Sequence, residues 1–287
     1  MKFFICGCNG MAGHLIATYL KEQGHEVYGF ARKKSQYIQD CFICDAENTG
    51  FISMILQQGN FDCVINCIGI LNQFAERNPA DAIYVNSYFP HFLAKATEGM
   101  DTMVIQMSTD CVFRGDRGGY TEADMPDGVT MYSRTKALGE LNGDRNITLR
   151  TSIVGPDINI HGIGLMNWFM RQTACNAYTK TMWNGITTLE LAKIMEVAAR
   201  EKAYGIINMV PDTKVPKSEI LDLFNKHLRN NEVSITYVDG LDEDKSLIRT
   251  VSPFDYDIPD YDTMIGELAD WVREHAYMYP HYNIPSR

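Results

Sequence analysis

No stretch of about 18 consecutive apolar residues occurs in the chain, so no helix is expected to cross a membrane. An excess of positive charge is also missing. Lys and Arg number 26 against 36 Asp and Glu, a formal charge of −10, which excludes a general nucleic-acid binder with its basic surface. Internal repeats and low-complexity segments are absent, which argues against a solenoid or a disordered chain. The 7 histidines show no H-x-x-x-H or similar spacing, so no catalytic metal is expected. The opening apolar run carries a single Lys and is interrupted at Gly7, Asn9 and Gly10, too early for a signal-peptide core. The cytoplasm is therefore the expected compartment.

The 8 cysteines carry one local pattern, Cys41-x-x-Cys44. A zinc site would need a second pair with matching spacing, and Cys63-x-x-x-Cys67 has the alternation of a buried strand. Cys6, Cys63 and Cys67 lie in or beside strand-like apolar runs. Buried, reduced thiols packing as small hydrophobes are expected.

What is present is a globular composition, with 45% hydrophobic and 22% charged residues over 287 positions, ample for one large domain or a main domain with a smaller one. The first half alternates strand-like and helix-like segments. Strands are predicted at 2–6, 26–31, 42–44, 63–67, 103–108 and 147–152. Helices are predicted at 11–23, 51–58, 80–98 and 132–141. That alternation implies parallel pairing with helices on both faces. The expected fold is α/β, a doubly wound parallel sheet of Rossmann type with a smaller C-terminal α/β substrate lobe. The division falls at 1–155 and 156–287, with some later segments returning to the main domain. In the second part helices are predicted at 165–173, 189–202, 218–228 and 264–275. Thr187 or Thr188 would cap the second of these and Asp262 the fourth. Strands are predicted at 205–209 and 233–237, and the tail 277–287, with Pro280 and Pro285, is expected to be irregular.

The first strand runs into Gly7-Cys8-Asn9-Gly10-Met11-Ala12-Gly13, a G-x-x-G-x-x-G turn that opens a helix. Glycines allow the sharp turn and the close approach of backbone to a pyrophosphate, and the helix N-terminus offers free N–H groups and a positive dipole end. Gly7, Asn9, Gly10, Met11 and Gly13 are thus candidate dinucleotide contacts. The second strand ends in Phe30-Ala31-Arg32-Lys33-Lys34, where an acid would favour NAD by binding the ribose 2′-hydroxyl. Positive charge there suits a 2′-phosphate. NADP(H) is expected, with Arg32 first and Lys33 second as its contacts, and NAD(H) remains possible. Asp45 follows the third strand, within reach of an adenine. Cys67 and Gly69 end the fourth, at the edge where such sheets bind ligands.

Tyr132 and Lys136 form Y-x-x-x-K at the start of a predicted helix, a spacing that puts both on one face. A Lys ammonium beside a phenol favours the phenolate. Tyr132 would then exchange a proton with a carbonyl or alcohol oxygen near neutral pH. Lys136 would also hold the nicotinamide ribose. Thr109, or Ser108, both from the strand end Ser108-Thr109-Asp110, would hydrogen-bond the same oxygen.

Together the glycine turn, Ser108-Thr109-Asp110 and Tyr132-x-x-x-Lys136 resemble the extended short-chain dehydrogenases/reductases. Within them the chain is similar to the dTDP-4-dehydrorhamnose reductases and related nucleotide-sugar 4-ketoreductases. Met107-Ser-Thr-Asp-Cys-Val-Phe-Arg-Gly115, Gly119-Tyr-Thr-Glu122 and Leu149-Arg-Thr-Ser152 carry that similarity, which is strong to about Gly155 and looser beyond. The resemblance implies an NAD(P)H-dependent oxidoreductase that delivers hydride to C4 of a nucleotide-linked 4-keto-6-deoxy sugar, with Tyr132 as proton donor. It implies that Thr109 and Asp110 contact the sugar, that Asn86 and Ser108 lie near the cofactor, and that a homodimer is possible. Two positions depart from the family pattern. Cys111 stands where Tyr is usual, and Ile153 stands where an aromatic residue faces the sugar. A related 4-keto hexose therefore fits as well. Arg171, Lys180 and Arg249 are available for the diphosphate, or as solvated surface charge. Trp168, Trp183 and Tyr178 are available to stack a base or sugar, or to pack. Two rival readings remain: an epimerase or dehydratase with tightly held NAD, and a non-catalytic subunit that binds the cofactor to regulate a partner enzyme.

Overall fold

Strict alternation of side chains in the first strand sets up two cores at once. In the computed structural model, which describes residues 1–284, β1 (Lys2–Cys6) sends Phe3 and Ile5 to one face and Phe4 and Cys6 to the other, all fully buried. It is followed by α1 (Met11–Glu22), β2 (Glu26–Ala31), β3 (Cys41–Ile43), α2 (Thr49–Gly59), β4 (Cys63–Asn66) and α3 (Asn72–Arg77). A longer helical run comes next, α4 (Pro79–Ala82) leading through a π-helical segment at Ile83–Tyr88 into α5 (Phe89–Ala96). Then come β5 (Met103–Met107), α6 (Met131–Leu138) and β6 (Ile147–Arg150). The rest of the chain adds β7 (Ile153–Val154), α7 (Leu165–Phe169), β8 (Ala174–Tyr178), β9 (Thr181–Trp183), β10 (Ile186–Thr187), α8 (Thr188–Arg200) and β11 (Gly205–Asn208). It ends with β12 (Val215–Pro216), α9 (Lys217–Arg229), β13 (Ser234–Val238), β14 (Glu243–Asp244) and α10 (Tyr261–Glu274).

Seven strands form one parallel sheet in the order β11-β6-β5-β4-β1-β2-β3. The order reverses between β1 and β4, and open α/β sheets bind ligands in the crevice at such a switch point. One face carries α1 and α8 over Ile5, Ile65, Ile105 and Leu149, with α10 packed on α8 and α9 on α10. The other carries α2 and α5 over Phe4, Val64 and Val104. The strand at 205–208 thus returns to the main sheet, pairing with β6 from Gly205↔Ile147 to Asn208↔Arg150. The remaining later strands make small pairings of their own, β8 with β13, β9 with β12 and β14, and β7 with β10.

Three expectations change. The helix predicted at 80–98 is not regular, because it widens into a π-helical turn at 83–88 that contains Asn86. The helix predicted at 165–173 stops at Phe169, and 174–178 becomes the strand that pairs with β13. Asp260, not Asp262, caps α10, accepting from Thr263 N at 2.9 Å. Asp262 instead pairs with Lys226 and His227 of α9 at 2.6 and 2.7 Å. Of the two threonines before α8, Thr187 is the cap. In the tail, Ala276–Met278 forms a 3-10 turn, and Pro285 lies outside the described residues.

Candidate active site

The turn after β1 is shaped by the residues that lack side chains. Gly7 has φ +80°, and a Cβ on Gly13 would come within 2.3 Å of Gly7 O, so only glycine lets α1 start this close to the turn. The turn is tied to β2 by Gly7 N and Cys8 N, both donating to Phe30 O, at 2.9 and 3.2 Å. No side chain caps α1 and no acid stands in its first turn. Its N-terminal amides and dipole end are therefore available to an anion. Asn9 donates to Lys33 O at 2.9 Å, clasping the turn to the basic segment 32–34, and its Oδ1 is buried without a partner. The exposed Arg32 and Lys33 stand beside that clasp. An uncapped helix start, a glycine cradle and an orphaned buried acceptor fit a dinucleotide. Gly10 and Met11 open the helix, and Met11 packs on Gly164, where a Cβ would come 2.9 Å from its sulfur. Asp45 is exposed beyond β3 and accepts from Glu47 N at 3.2 Å.

At the end of β5 the two hydroxyls of Ser108-Thr109 separate. Ser108 Oγ donates to Glu140 Oε1 at 2.7 Å, and the same carboxylate accepts from Arg150 Nε and Nη2, each at 2.7 Å. The Ser108 hydroxyl is thus spent on a buried ion pair beneath the site. Thr109 faces the other way. Its hydroxyl donates to Asp110 Oδ1 at 3.0 Å, accepts from Cys111 N at 3.1 Å, and lies close enough to the Tyr132 phenol to act on its pKa.

Tyr132 and Lys136 are on one face of α6, which Thr130 caps by accepting from Ser133 N. Both are buried, at 9% and 5% exposure. Lys136 Nζ donates to Met107 O at 2.5 Å, which holds the ammonium at the β5 end beside Cys67 of the β4 end. Burial pushes its pKa down to about 8, with Glu140 and Cys67 opposing that fall. Burial pushes the Tyr132 phenol up, Cys111 and Asp110 add to this, and Thr109 opposes it. Lys136 is not among the groups that act on the phenol, so the sequence-based expectation of a lowered phenol pKa is not met here. A neutral phenol is the form that donates a proton. Asp110 is likewise raised by burial, with Thr109, Lys245 and Lys217 acting against it.

One consequence is measurable. Lys136 has a folded pKa near 8 against an ordinary 10.5, so between those values the unfolded state binds more protons and stability rises with pH. Lys136→Met is expected to raise stability at neutral pH, by at most about 3 kcal/mol, and to flatten that rise. Urea unfolding at pH values below 8 and above it checks the sign.

Asn86 is committed within the protein. Its Oδ1 accepts from Ile70 N at 2.8 Å, and its Nδ2 donates to Ile70 O and to Thr135 Oγ1 at 2.9 and 3.1 Å. It thereby ties the segment after β4, with Gly69, to α6. A Cβ on Gly139 would come 1.8 Å from Asn86 O, which explains the glycine that ends α6. Ile153, in β7, is half-buried and pairs with Ile186.

The side chains offered by sequence for the diphosphate and the base are distributed otherwise. Arg171 donates to Ile160 O, Arg249 to Tyr256 O, and Lys180 pairs with Asp239 at 2.7 Å. Trp183 is buried against Tyr261 and Trp168 packs on the main core, while Tyr178 stays exposed over Gly240. The cations that act on Asp110 are Lys245 and Lys217, which no sequence motif marks. Sequence also gave no sign of His14. It is buried in α1, with Nδ1 on Gly10 O at 2.9 Å and Nε2 on the Tyr279 hydroxyl at 2.8 Å. Burial lowers its pKa to about 4, so it stays neutral and latches the C-terminal segment onto the dinucleotide helix. Cys41 and Cys44 point to opposite sheet faces, and among the described residues no group of three or more His, Cys, Asp or Glu is placed to hold a metal.

Fold and site geometry together define a Rossmann-type α/β protein with a glycine turn of the dinucleotide-binding kind. More narrowly, the chain belongs to the RmlD substrate-binding-domain family, whose model matches residues 1–165. It is 34% identical over 144 residues to the probable low-salt glycan biosynthesis reductase Agl14 of Haloferax volcanii, covering 49% of this chain and 48% of that protein. It is 35% identical over 142 residues to the dTDP-4-dehydrorhamnose reductase of Mycolicibacterium smegmatis, covering 48% and 40%. The matched region thus spans about half the length of these relatives or less. Among solved structures, the dTDP-4-dehydrorhamnose reductase from Bacillus anthracis in complex with NADP has the same fold. Its TM-score is 0.79 at 18% identity, over 93% of this chain and 99% of that one.

Proposed function

We propose that the protein is an NADPH-dependent reductase of a nucleotide-linked 4-keto-6-deoxy sugar, with residues 1–155 binding the cofactor and 156–287 selecting the substrate. The observation that carries this is the placement of the Tyr132 phenol beside the Thr109 hydroxyl after β5, with the Lys136 ammonium held on Met107 O at the end of the same strand, and Cys67 of the neighbouring strand end packed on Gly7 of the glycine turn. Gly7, Asn9, Gly10, Met11 and Gly13 would hold the pyrophosphate, with Asp45 at the adenine. Cys67, Gly69, Asn86 and Lys136 would border the nicotinamide end. NADPH, when bound, supplies hydride to the sugar carbonyl.

The protein's own contribution is proton transfer and charge. Thr109 orients the carbonyl oxygen, and Tyr132, kept protonated by burial, gives its proton to that oxygen as negative charge develops on it. Lys136, held on Met107 O, would bind the nicotinamide ribose. Asp110, Cys111 and Ile153 border the sugar, and Lys245 with Lys217 adds the positive charge that an anionic substrate needs in a chain of net charge −10. The rival reading as a regulatory subunit leaves the buried phenol and ammonium without a task. Incubation with NADPH and dTDP-, UDP-, GDP- and CDP-linked 4-keto sugars, followed by cofactor oxidation and the C4 configuration of the product, tests the proposal. Absence of turnover across that panel would overturn it.

NADPH is favoured over NADH because Arg32 and Lys33 are exposed beside the Asn9 clasp. Arg32→Ala is expected to weaken NADPH binding about tenfold, the value of one charge-assisted hydrogen bond, and to leave NADH unchanged. Equal losses for both cofactors in a binding titration would refute the assignment. Among the described residues no helix is long and apolar enough to cross a membrane. A cytoplasmic location is proposed, with no nucleic-acid or membrane partner. A homodimer through the face of the π-helical run and α6, where Ile83, Tyr88 and Leu138 are exposed, is proposed as well. Sedimentation equilibrium of Ile83→Asp should then report a monomer, and a monomeric parent protein would exclude it.

A further inference from the structure

Cys8 and Cys41 are 33 residues apart in sequence, yet their sulfurs are 3.4 Å apart. The C-x-x-C pattern does not connect them, since Cys44 is buried on the opposite sheet face with its thiol donating to Asp45 O. Gly29 makes the approach possible. It lies in register between Ile5 of β1 and Cys41 of β3, and a Cβ there would come 2.8 Å from Cys8 Cβ and 3.0 Å from Cys8 Sγ. With that side chain missing, Cys8 reaches across β2 to the edge strand. Cys8 is the second residue of the glycine turn and fully buried, whereas Cys41 is half-buried on the outermost strand.

We propose that Cys8 and Cys41 form a reversible disulfide under peroxide, and that its closure weakens dinucleotide binding at the turn. The consequence for the cofactor rests on the function proposed above, but the disulfide itself does not. Peroxide meets Cys41 first, because Cys8 is enclosed and burial together with the neighbouring thiol disfavours its thiolate. The Cys41 thiolate attacks the peroxide. The O–O bond breaks, Cys41 becomes a sulfenic acid, and the other oxygen leaves as hydroxide, which takes up the proton Cys41 lost on ionising and becomes water. Cys8 sulfur then attacks Cys41 sulfur, the S–S bond forms as the S–O bond breaks, and the Cys8 proton leaves with the oxygen as a second water. Two electrons have passed from the thiols to the peroxide.

Closure must draw the sulfurs from 3.4 Å to about 2.0 Å. Both ends of the cross-link bear on the cofactor. One is the turn that faces the pyrophosphate, and the other is the strand that follows the basic segment 32–34. Asn9, next to Cys8, clasps that segment through Lys33 O. A shift at either end therefore disturbs the phosphate contacts.

The test uses the full, reduced chain. Hydrogen peroxide treatment should lower the intact mass by two hydrogen atoms, and thiol blocking of the unfolded product should leave Cys8 and Cys41 unlabelled and yield a cross-linked Cys8–Cys41 peptide. NADPH affinity should fall about tenfold, the loss of one charge-assisted hydrogen bond, and return with dithiothreitol. Cys41→Ser, binding NADPH normally when reduced, should show neither the cross-link nor the loss. Blocked thiols at both positions after treatment, or a cross-link that leaves affinity unchanged, would overturn the proposal. If the reduced protein bound no NADPH at all, the cofactor reading and the affinity consequence would both fall, while the peptide map would still decide the disulfide.

Discussion

Tyr132→Phe is expected to lower kcat by about 10²- to 10⁴-fold, the usual contribution of a positioned general acid, with NADPH affinity preserved. The substitution removes one oxygen from a ring whose packing beside Ala75 and Ala82 is otherwise kept. The phenol is held neutral by burial and touches the Thr109 hydroxyl, so a carbonyl bound there gains a donor that water cannot replace in an enclosed site. Thr109→Val should add a further loss that is less than multiplicative, because the proposed mechanism has both groups act on one oxygen. Single-turnover rates with NADPH in excess separate the chemical step from binding. A wild-type rate for Tyr132→Phe would remove the phenol from the mechanism.

Glu140→Ala is expected to cost about 3–5 kcal/mol of folding stability, because it leaves a buried guanidinium without its carboxylate. The Arg150 and Glu140 side chains are 2% and 5% exposed, and their two parallel bonds are joined by the Ser108 hydroxyl. Arg150 already has one nitrogen, Nη1, buried without a partner, and it lies over the Phe113 ring at 5.2 Å. Urea unfolding measures the cost, and a loss of under about 1 kcal/mol would show that the charge escapes to water. Under the proposed mechanism the pair also bears on the chemistry. By holding Ser108 below the sheet end it fixes the rotation of the strand, so that Thr109, one residue on, faces Tyr132. Glu140→Ala should therefore reduce turnover as well as stability.

The readings that succeeded from sequence were local ones. β1 and β2 match their predicted ends because apolar alternation stops at Gly7 and at the basic segment. α1 could be read because its glycine turn is a contiguous motif. Tyr132 and Lys136 share a face by helical geometry alone. The failures were long-range. The strand at 174–178 exists only through its pairing with β13, some sixty residues on, and its half-exposed pattern carries little alternation of its own. Asp260 and Asp262 are equivalent as caps on paper. Contact of Asp262 with Lys226 and His227 distinguishes them.

At the site the same division holds. Sequence determined the chemistry available: a glycine turn able to cradle phosphate, basic residues after the second strand, and a phenol, an ammonium and hydroxyls near the sheet end. These depend on residue type and on spacings of a few positions, which local backbone geometry fixes. Only the tertiary structure decided that Thr109 rather than Ser108 faces the phenol, that burial keeps Tyr132 protonated, that Lys245 and Lys217 act on Asp110, and that Cys8 meets Cys41 instead of Cys44 joining it. Each of those depends on which distant segments exclude water from a side chain or reach it across a neighbouring strand, and periodicity along the chain carries no record of that.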